Sequence, residues 1–97
     1  MNRFLVLLTV LLFNNIALAD EDFICARGDL ERVISVVYLG DGPVPCEVRY
    51  DKGDGQAARV LWSAEHTEGY CESKAKEFVD RQEGWGYSCT HYREQAE

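Results

Sequence analysis

The chain has 97 residues and a formal net charge of −7, with 17 acidic against 10 basic residues. That length accommodates one domain with a small core. The negative balance disfavours nucleic acid and anionic membranes, whose phosphates repel an acidic surface, but it permits attraction to a basic protein. Simple solubility is the favoured interpretation of the charge.

Residues 1–19 have the pattern of a secretory signal peptide. Arg3 gives a positive start, residues 4–13 form an apolar run broken only by Thr9, and Ala19 ends a small-residue cleavage motif before Asp20. A spanning helix needs roughly 20 apolar residues, more than this run supplies. Because Asp20 stands where a lipoprotein has a cysteine, we expect export to the periplasm or the outside without lipidation or later membrane insertion.

Cleavage would remove 19 of the 97 residues and leave 78, with nine basic and 17 acidic side chains and a net charge of −8. We expect this mature chain, residues 20–97, to form a single domain. Its ends, 20–22 and 94–97, are polar and are predicted to be frayed or disordered.

The first half of the mature chain is predicted to form mainly strands. The segment 23–30 shows no clear period and is predicted to be irregular. Strands are predicted over 32–39 from β-branched and aromatic content, over 45–51 from strict alternation, and over 57–64. Glycine-rich turns separate the three strands.

After residue 64 the apolar residues repeat at helical spacing. Thr67 is the predicted N-cap and Gly84 the predicted left-handed residue that ends the helix. The apolar stripe of this helix consists of Cys71, Ala75, Phe78, Val79 and Gln82. A last strand is predicted over 85–92, which completes the order β-β-β-α-β.

This order predicts an α+β fold, a small antiparallel sheet with one helix packed on a face. The third strand, the helix and the fourth strand would form a parallel, right-handed crossover.

Four cysteines in a small exported chain predict two disulfides, which such a domain needs for stability. The gaps between them contain no close pair of the kind that zinc sites use, so we predict no metal site. The second predicted strand starts where the helix starts, which pairs Cys46 with Cys71 and leaves Cys25 with Cys89. Four cysteines allow three pairings, and the other two stay open at this point.

Catalytic signals are few. Glu65 and His66 lie at the predicted strand-to-helix junction, where a base and a carboxylate could bind a metal or transfer a proton. The alternative is a solvated loop histidine, and the same applies to His91. We therefore assign no catalytic residue and no cofactor.

Aromatic residues are the remaining signal. Trp62, Trp85 and Tyr87 are candidate binding residues, because tryptophan and tyrosine are over-represented at binding hot spots. The alternative is that these rings fill the core.

The runs VPCEVRY (44–50), LWSAE (61–65), GYCE (69–72) and GWGYSC (84–89) resemble those of small exported proteobacterial proteins to which no activity is assigned. The resemblance implies no site residues. Small acidic periplasmic inhibitors of lysozyme are similar in size, export, charge and disulfides, but only in composition.

Three functional hypotheses follow. The first is a non-enzymatic periplasmic or secreted interaction domain that binds a cationic protein, such as a cell-wall lytic enzyme, and not nucleic acid. The second is a small metal-dependent or hydrolytic enzyme that uses His66 and Glu65. The third is an envelope protein with a structural role. The oligomeric state is not predicted.

Overall fold

A computed structural model of the protein describes residues 19–93, so the predicted leader before Ala19 and the predicted tail 94–97 lie outside the described residues. The elements are, in chain order, β1 (Glu21–Arg27), β2 (Leu30–Tyr38), β3 (Cys46–Asp51), β4 (Arg59–Ala64), α1 (Tyr70–Gly84) and β5 (Ser88–Arg93).

The five strands form one antiparallel sheet in the order β4-β3-β2-β1-β5. The predicted α+β class, an antiparallel sheet with one helix and two disulfides, is confirmed, although the sheet has one strand more than predicted. The strands β4 and β5 run in the same direction but lie at opposite edges. The predicted parallel connection through the helix is therefore present, and it spans the whole sheet from one edge strand to the other.

The additional strand is β1, which occupies the segment predicted to be frayed at 20–22 and irregular at 23–30. It pairs with β2 on one side and with β5 on the other. Both predictions were wrong because β1 is stabilised by partners distant in sequence. Its acidic first residue, Glu21, is buried and is held by His91 and Arg93 of β5.

The core lies between α1 and one face of the sheet. The buried residues of the helix are Cys71, Ala75, Phe78, Val79 and Gln82, which confirms the predicted stripe. The sheet contributes Cys25, Ile34, Val36, Cys46, Val48 and Tyr50. Successive strand residues alternate between faces. The opposite face, which we call the open face, is covered by no helix or second sheet within residues 19–93.

Gln82 is a polar residue on the buried stripe, and its partner is the phenol of Tyr50. The Gln82 amide donates a hydrogen bond to Tyr50 Oη at 2.9 Å, and Arg32 donates to the same oxygen at 2.8 Å. Burying polar groups is costly unless they are hydrogen-bonded. The phenol therefore satisfies the amide nitrogen of Gln82, while the amide oxygen is buried without a hydrogen-bond partner among the described residues.

Both helix ends differ from the prediction. The N-cap is Gly69, which has a φ of 85° and no side-chain capping bond, and Thr67 instead accepts a turn hydrogen bond from Tyr70 through its carbonyl. At the other end the left-handed residue is Gly86, with a φ of 97°, and not Gly84.

The end at Gly86 is a Schellman motif. The amide of Gly86 donates to the carbonyl of Glu83, and the amide of Tyr87 donates to the carbonyl of Gln82. In this motif the residue after the glycine commonly packs back on the last helical turn. Tyr87 accordingly enters the core, and the last strand begins at Ser88 rather than at Trp85.

The disulfides join Cys46 to Cys71 and Cys25 to Cys89, the two pairings that the sequence predicts. The first attaches the start of α1 to the start of β3. The second links directly opposed residues of β1 and β5. Each bridge therefore fastens a late segment to an early strand.

Candidate interaction surfaces

The topology gathers carboxylates at one end of the molecule. The starts of β1 and β3, the ends of β2, β4 and β5, and the start of α1 all meet there. We call this region the acidic end, and its carboxylates are Asp20, Glu21, Asp22, Asp41, Glu65, Glu68 and Glu72. The one lysine or arginine among these strand ends, loops and first helical turn is Arg93. Charge from separate segments is thus concentrated in one place.

A hydrogen-bonded cluster lies within the acidic end. The Tyr38 phenol lies 2.6 Å from a carboxylate oxygen of Glu72 and 3.2 Å from one of Glu21. Glu21 also contacts the guanidinium of Arg93 and lies 3.1 Å from His91 Nε2. A phenol has one proton to donate, so two carboxylates compete for it. The cluster links β1, β2, β5 and α1.

This environment raises the pKa of Tyr38 above its ordinary value. Burial is the largest cause, because it disfavours the charged phenolate, and the hydrogen bond to Glu72 is the next. The neighbouring charges of Glu21 and Glu72 act in the same direction. The folded protein therefore favours a neutral Tyr38.

We expect the folded state to lose stability in alkali because of Tyr38. A raised folded-state pKa stabilises the fold below the unfolded value of about 10, and that stabilisation is lost as the pH rises through the folded value. Melting temperatures measured by circular dichroism above pH ~10 should fall more steeply for the wild type than for Tyr38→Phe. Tyr92→Phe, at an exposed position, should follow the wild type. Equal slopes for wild type and Tyr38→Phe would contradict this assignment.

The structure does not place the three candidate aromatic residues at the acidic end. Tyr87 is buried, with the guanidinium carbons of Arg27 and Arg32 4.9 and 5.2 Å from its ring centroid. Its ring is therefore a core ring and not an exposed anchor. Trp85 is 50% exposed, but it follows the C-terminus of α1, at the opposite end from the carboxylates.

Trp62 is half-buried on the helix-covered face of β4. Its ring packs against Phe78, and the Lys74 ammonium lies 5.7 Å from its centroid. A lysine over the ring disfavours a cationic partner at this position. Of the three candidates, Tyr87 is thus buried, Trp62 is flanked by a lysine, and Trp85 lies at the far end of the molecule.

Glu65 and His66 lie on the exposed loop between β4 and α1. Within residues 19–93, no group of three or more His, Cys, Asp or Glu side chains is arranged to hold a metal ion. A small pocket of about 70 Å³ lies elsewhere, between Tyr50 and the loop that connects β3 to β4. Neither Glu65 nor His66 lines that pocket.

Sequence reasoning did not single out Glu21, Tyr38 or Glu72. They meet only after β1 pairs with β2 and the helix docks, so no local pattern connects them. The open face did leave a signal in the sequence. The strand β2 has apolar residues at both odd and even positions, with Val33 and Val37 on one face and Ile34 and Val36 on the other.

No family model matches the chain, and no curated protein or solved structure shows a significant similarity to it. The resemblance of the four segments to exported proteobacterial proteins therefore stays a prediction. No helix in the described part of the chain is long and apolar enough to cross a membrane.

Proposed function

We propose that the protein is a non-enzymatic interaction domain that acts after export, in the periplasm or outside the cell, and binds a cationic protein partner. The observation that supports this proposal is the concentration of carboxylates at the acidic end. Because the negative charge is unevenly distributed, the electric field of the protein is strongest at the acidic end. Such a field raises association rates with a partner of opposite charge.

The opposite end of the molecule carries no comparable excess. It comprises the turn between β1 and β2, the loop between β3 and β4, and the last turn of α1. Its cations are Arg27, Arg32, Lys52, Arg59 and Arg81, and its acids are Asp29, Glu31, Asp51, Asp54 and Glu83. These charges balance, so a basic partner would approach the acidic end first.

Catalysis by His66 receives less support from the geometry. A general base needs a substrate held within hydrogen-bond reach, which normally requires a concave site. His66 is exposed on its loop, and the pocket beside Tyr50 contains neither His66 nor Glu65. Binding through a charged surface needs no such cavity.

Charge reversal at the acidic end should slow association with the partner about tenfold or more at low salt. The test variant is Glu65→Lys with Glu68→Lys, both exposed in the loop before α1. The matched control, Asp80→Lys with Glu83→Lys, makes the same change in net charge on the exposed side of the helix.

The partner would first be identified by crosslinking in the cell envelope and mass spectrometry. Association rates of the two variants would then be compared by surface plasmon resonance over a range of salt. A basic partner that loses affinity equally with both variants would contradict an acidic end that acts locally. Binding insensitive to salt would contradict steering altogether.

A further inference from the structure

The open face of the sheet is more apolar than a solvated face requires. Ile24 and Val33 are directly opposed on β1 and β2, and Val37 continues the same face. At the sheet edges, Tyr92 is 53% exposed and Val60 is 51% exposed. An antiparallel sheet with one face in water normally alternates apolar and polar residues, whereas strands that are apolar on both faces are normally covered on both.

The charges on this face indicate what could cover it. Asp22, Glu31, Glu47 and Asp51 share it, because they pair with open-face positions or alternate with core residues. The one basic residue on β1, β2 and β3 that shares this face is Arg49, which lies 2.8 Å from Glu47. A second copy of this chain, or an anionic membrane, would therefore meet like charge. A basic surface would meet complementary charge.

We propose that the open face is the docking surface of the partner, and that the partner presents to it a basic segment with an apolar side. This inference rests on the proposed function and assigns it a location. The acidic end steers the approach, and the residues Ile24, Val33, Val37, Val60 and Tyr92 are buried on contact. The affinity then comes from the burial of apolar area, and the discrimination between partners comes from charge.

Tyr92 is the residue expected to contribute most. It lies on the edge strand β5, directly opposite Asp22 of β1, so a large ring and a carboxylate are adjacent. Tyrosine is enriched among the residues that dominate binding energy, partly because its ring adds area and its hydroxyl remains hydrogen-bonded. The ring also lies near the acidic end, where steering would deliver a partner.

The test uses a helical peptide with a lysine face and a leucine face as the probe, and a glutamate–leucine peptide of the same length as its control. Isotope-labelled protein is titrated with each peptide and followed by NMR. We expect the lysine peptide alone to bind, with weaker binding in high salt. Its shift changes should map to open-face residues of β1, β2 and β5.

Two variants locate the surface. Tyr92→Ser, at an exposed edge position, should raise the dissociation constant about tenfold. Val37→Ser should act in the same direction, with its melting temperature checked against the wild type. Leu30→Ser is the matched control, since Leu30 is 45% exposed against 53% for Tyr92 and alternates onto the helix-covered face at the other end of β2. It should leave binding unchanged.

The outcomes separate the two proposals. If the lysine peptide binds but its shift changes lie on the helix-covered side, or if Leu30→Ser weakens binding as much as Tyr92→Ser, the docking surface is wrong and the acidic interaction domain stands. If neither peptide binds, or if both bind equally, both proposals are overturned.

Discussion

Replacing Cys25 and Cys89 together by alanine is expected to lower the free energy of unfolding by about 4 kcal/mol. Their disulfide spans 64 residues, so its loss frees most of the unfolded chain. Domains have a net stability of about 5–15 kcal/mol, and small ones lie at the low end. The variant should therefore be at the margin of folding, as measured by denaturant unfolding with circular dichroism.

The second disulfide provides the control. Cys46→Ala with Cys71→Ala opens a shorter loop, of 25 residues, and should cost roughly 0.8 kcal/mol less in the chain-entropy description. Hydrogen exchange distinguishes the two variants further. Loss of the Cys25 bridge should deprotect the amides of β5, which is an edge strand whose one strand-pairing partner within residues 19–93 is β1. A greater loss of stability from the shorter loop would contradict the explanation by loop length.

The helix and four of the five strands could be predicted from the sequence because their signals are local. The stripe that includes Cys71 and Phe78 repeats at helical spacing, and the alternation around Val48 repeats at a spacing of two. Each pattern lies within one element. The cysteine pairing follows once those elements are ordered, because the topology places the start of β3 beside the start of α1.

The strand β1 could not be predicted because what stabilises it is distant in the chain. A sequence that begins with Glu21 and Asp22 resembles a solvated terminus. It becomes a strand because β2 and β5 pair on both sides and because Arg93 and His91 contact the Glu21 carboxylate. Burial of a charge is tolerated when it is paired and hydrogen-bonded.

The end of the helix illustrates a local ambiguity that packing decides. Gly84 and Gly86 are both able to take the left-handed conformation that ends a helix. Ending at Gly86 places Tyr87 in the core, where it packs between arginines, and leaves Trp85 exposed. The same ambiguity affects the candidate site, because the sequence leaves Tyr87 either as a binding residue or as a core ring, and the end at Gly86 places it in the core.

The apolar residues of the open face are visible in the sequence, but they could not be assigned to a face for a related reason. Val33 and Val37 belong to one apolar run with Ile34 and Val36, and a run of this kind does not say which residues face the helix. The register with β1 and β3 assigns the faces. Only then does the surplus of apolar residues on the uncovered side become visible.

Phe78→Ala should cost about 4 kcal/mol of stability, the second large effect expected in this protein. The ring is buried at the centre of an aromatic cluster, with its centroid 4.8 Å from that of Tyr50, 5.9 Å from Trp62 and 6.3 Å from Trp85. Truncation leaves a cavity under three rings. Denaturant unfolding measures the loss of stability, and tryptophan emission reports on the site because both tryptophans of the chain contact Phe78.

Phe78→Leu separates packing volume from ring contacts. Leucine retains most of the buried apolar area but loses the edge-to-face contacts, each of which contributes about 0.5–1.5 kcal/mol. The loss of stability should thus be smaller than for alanine, while the emission of Trp62 and Trp85 should still shift. If these tryptophans serve packing rather than partner binding, Phe78→Leu will leave the affinity for the basic peptide unchanged. If the affinity instead falls together with the emission shift, Trp62 and Trp85 belong to the binding surface and the open face does not.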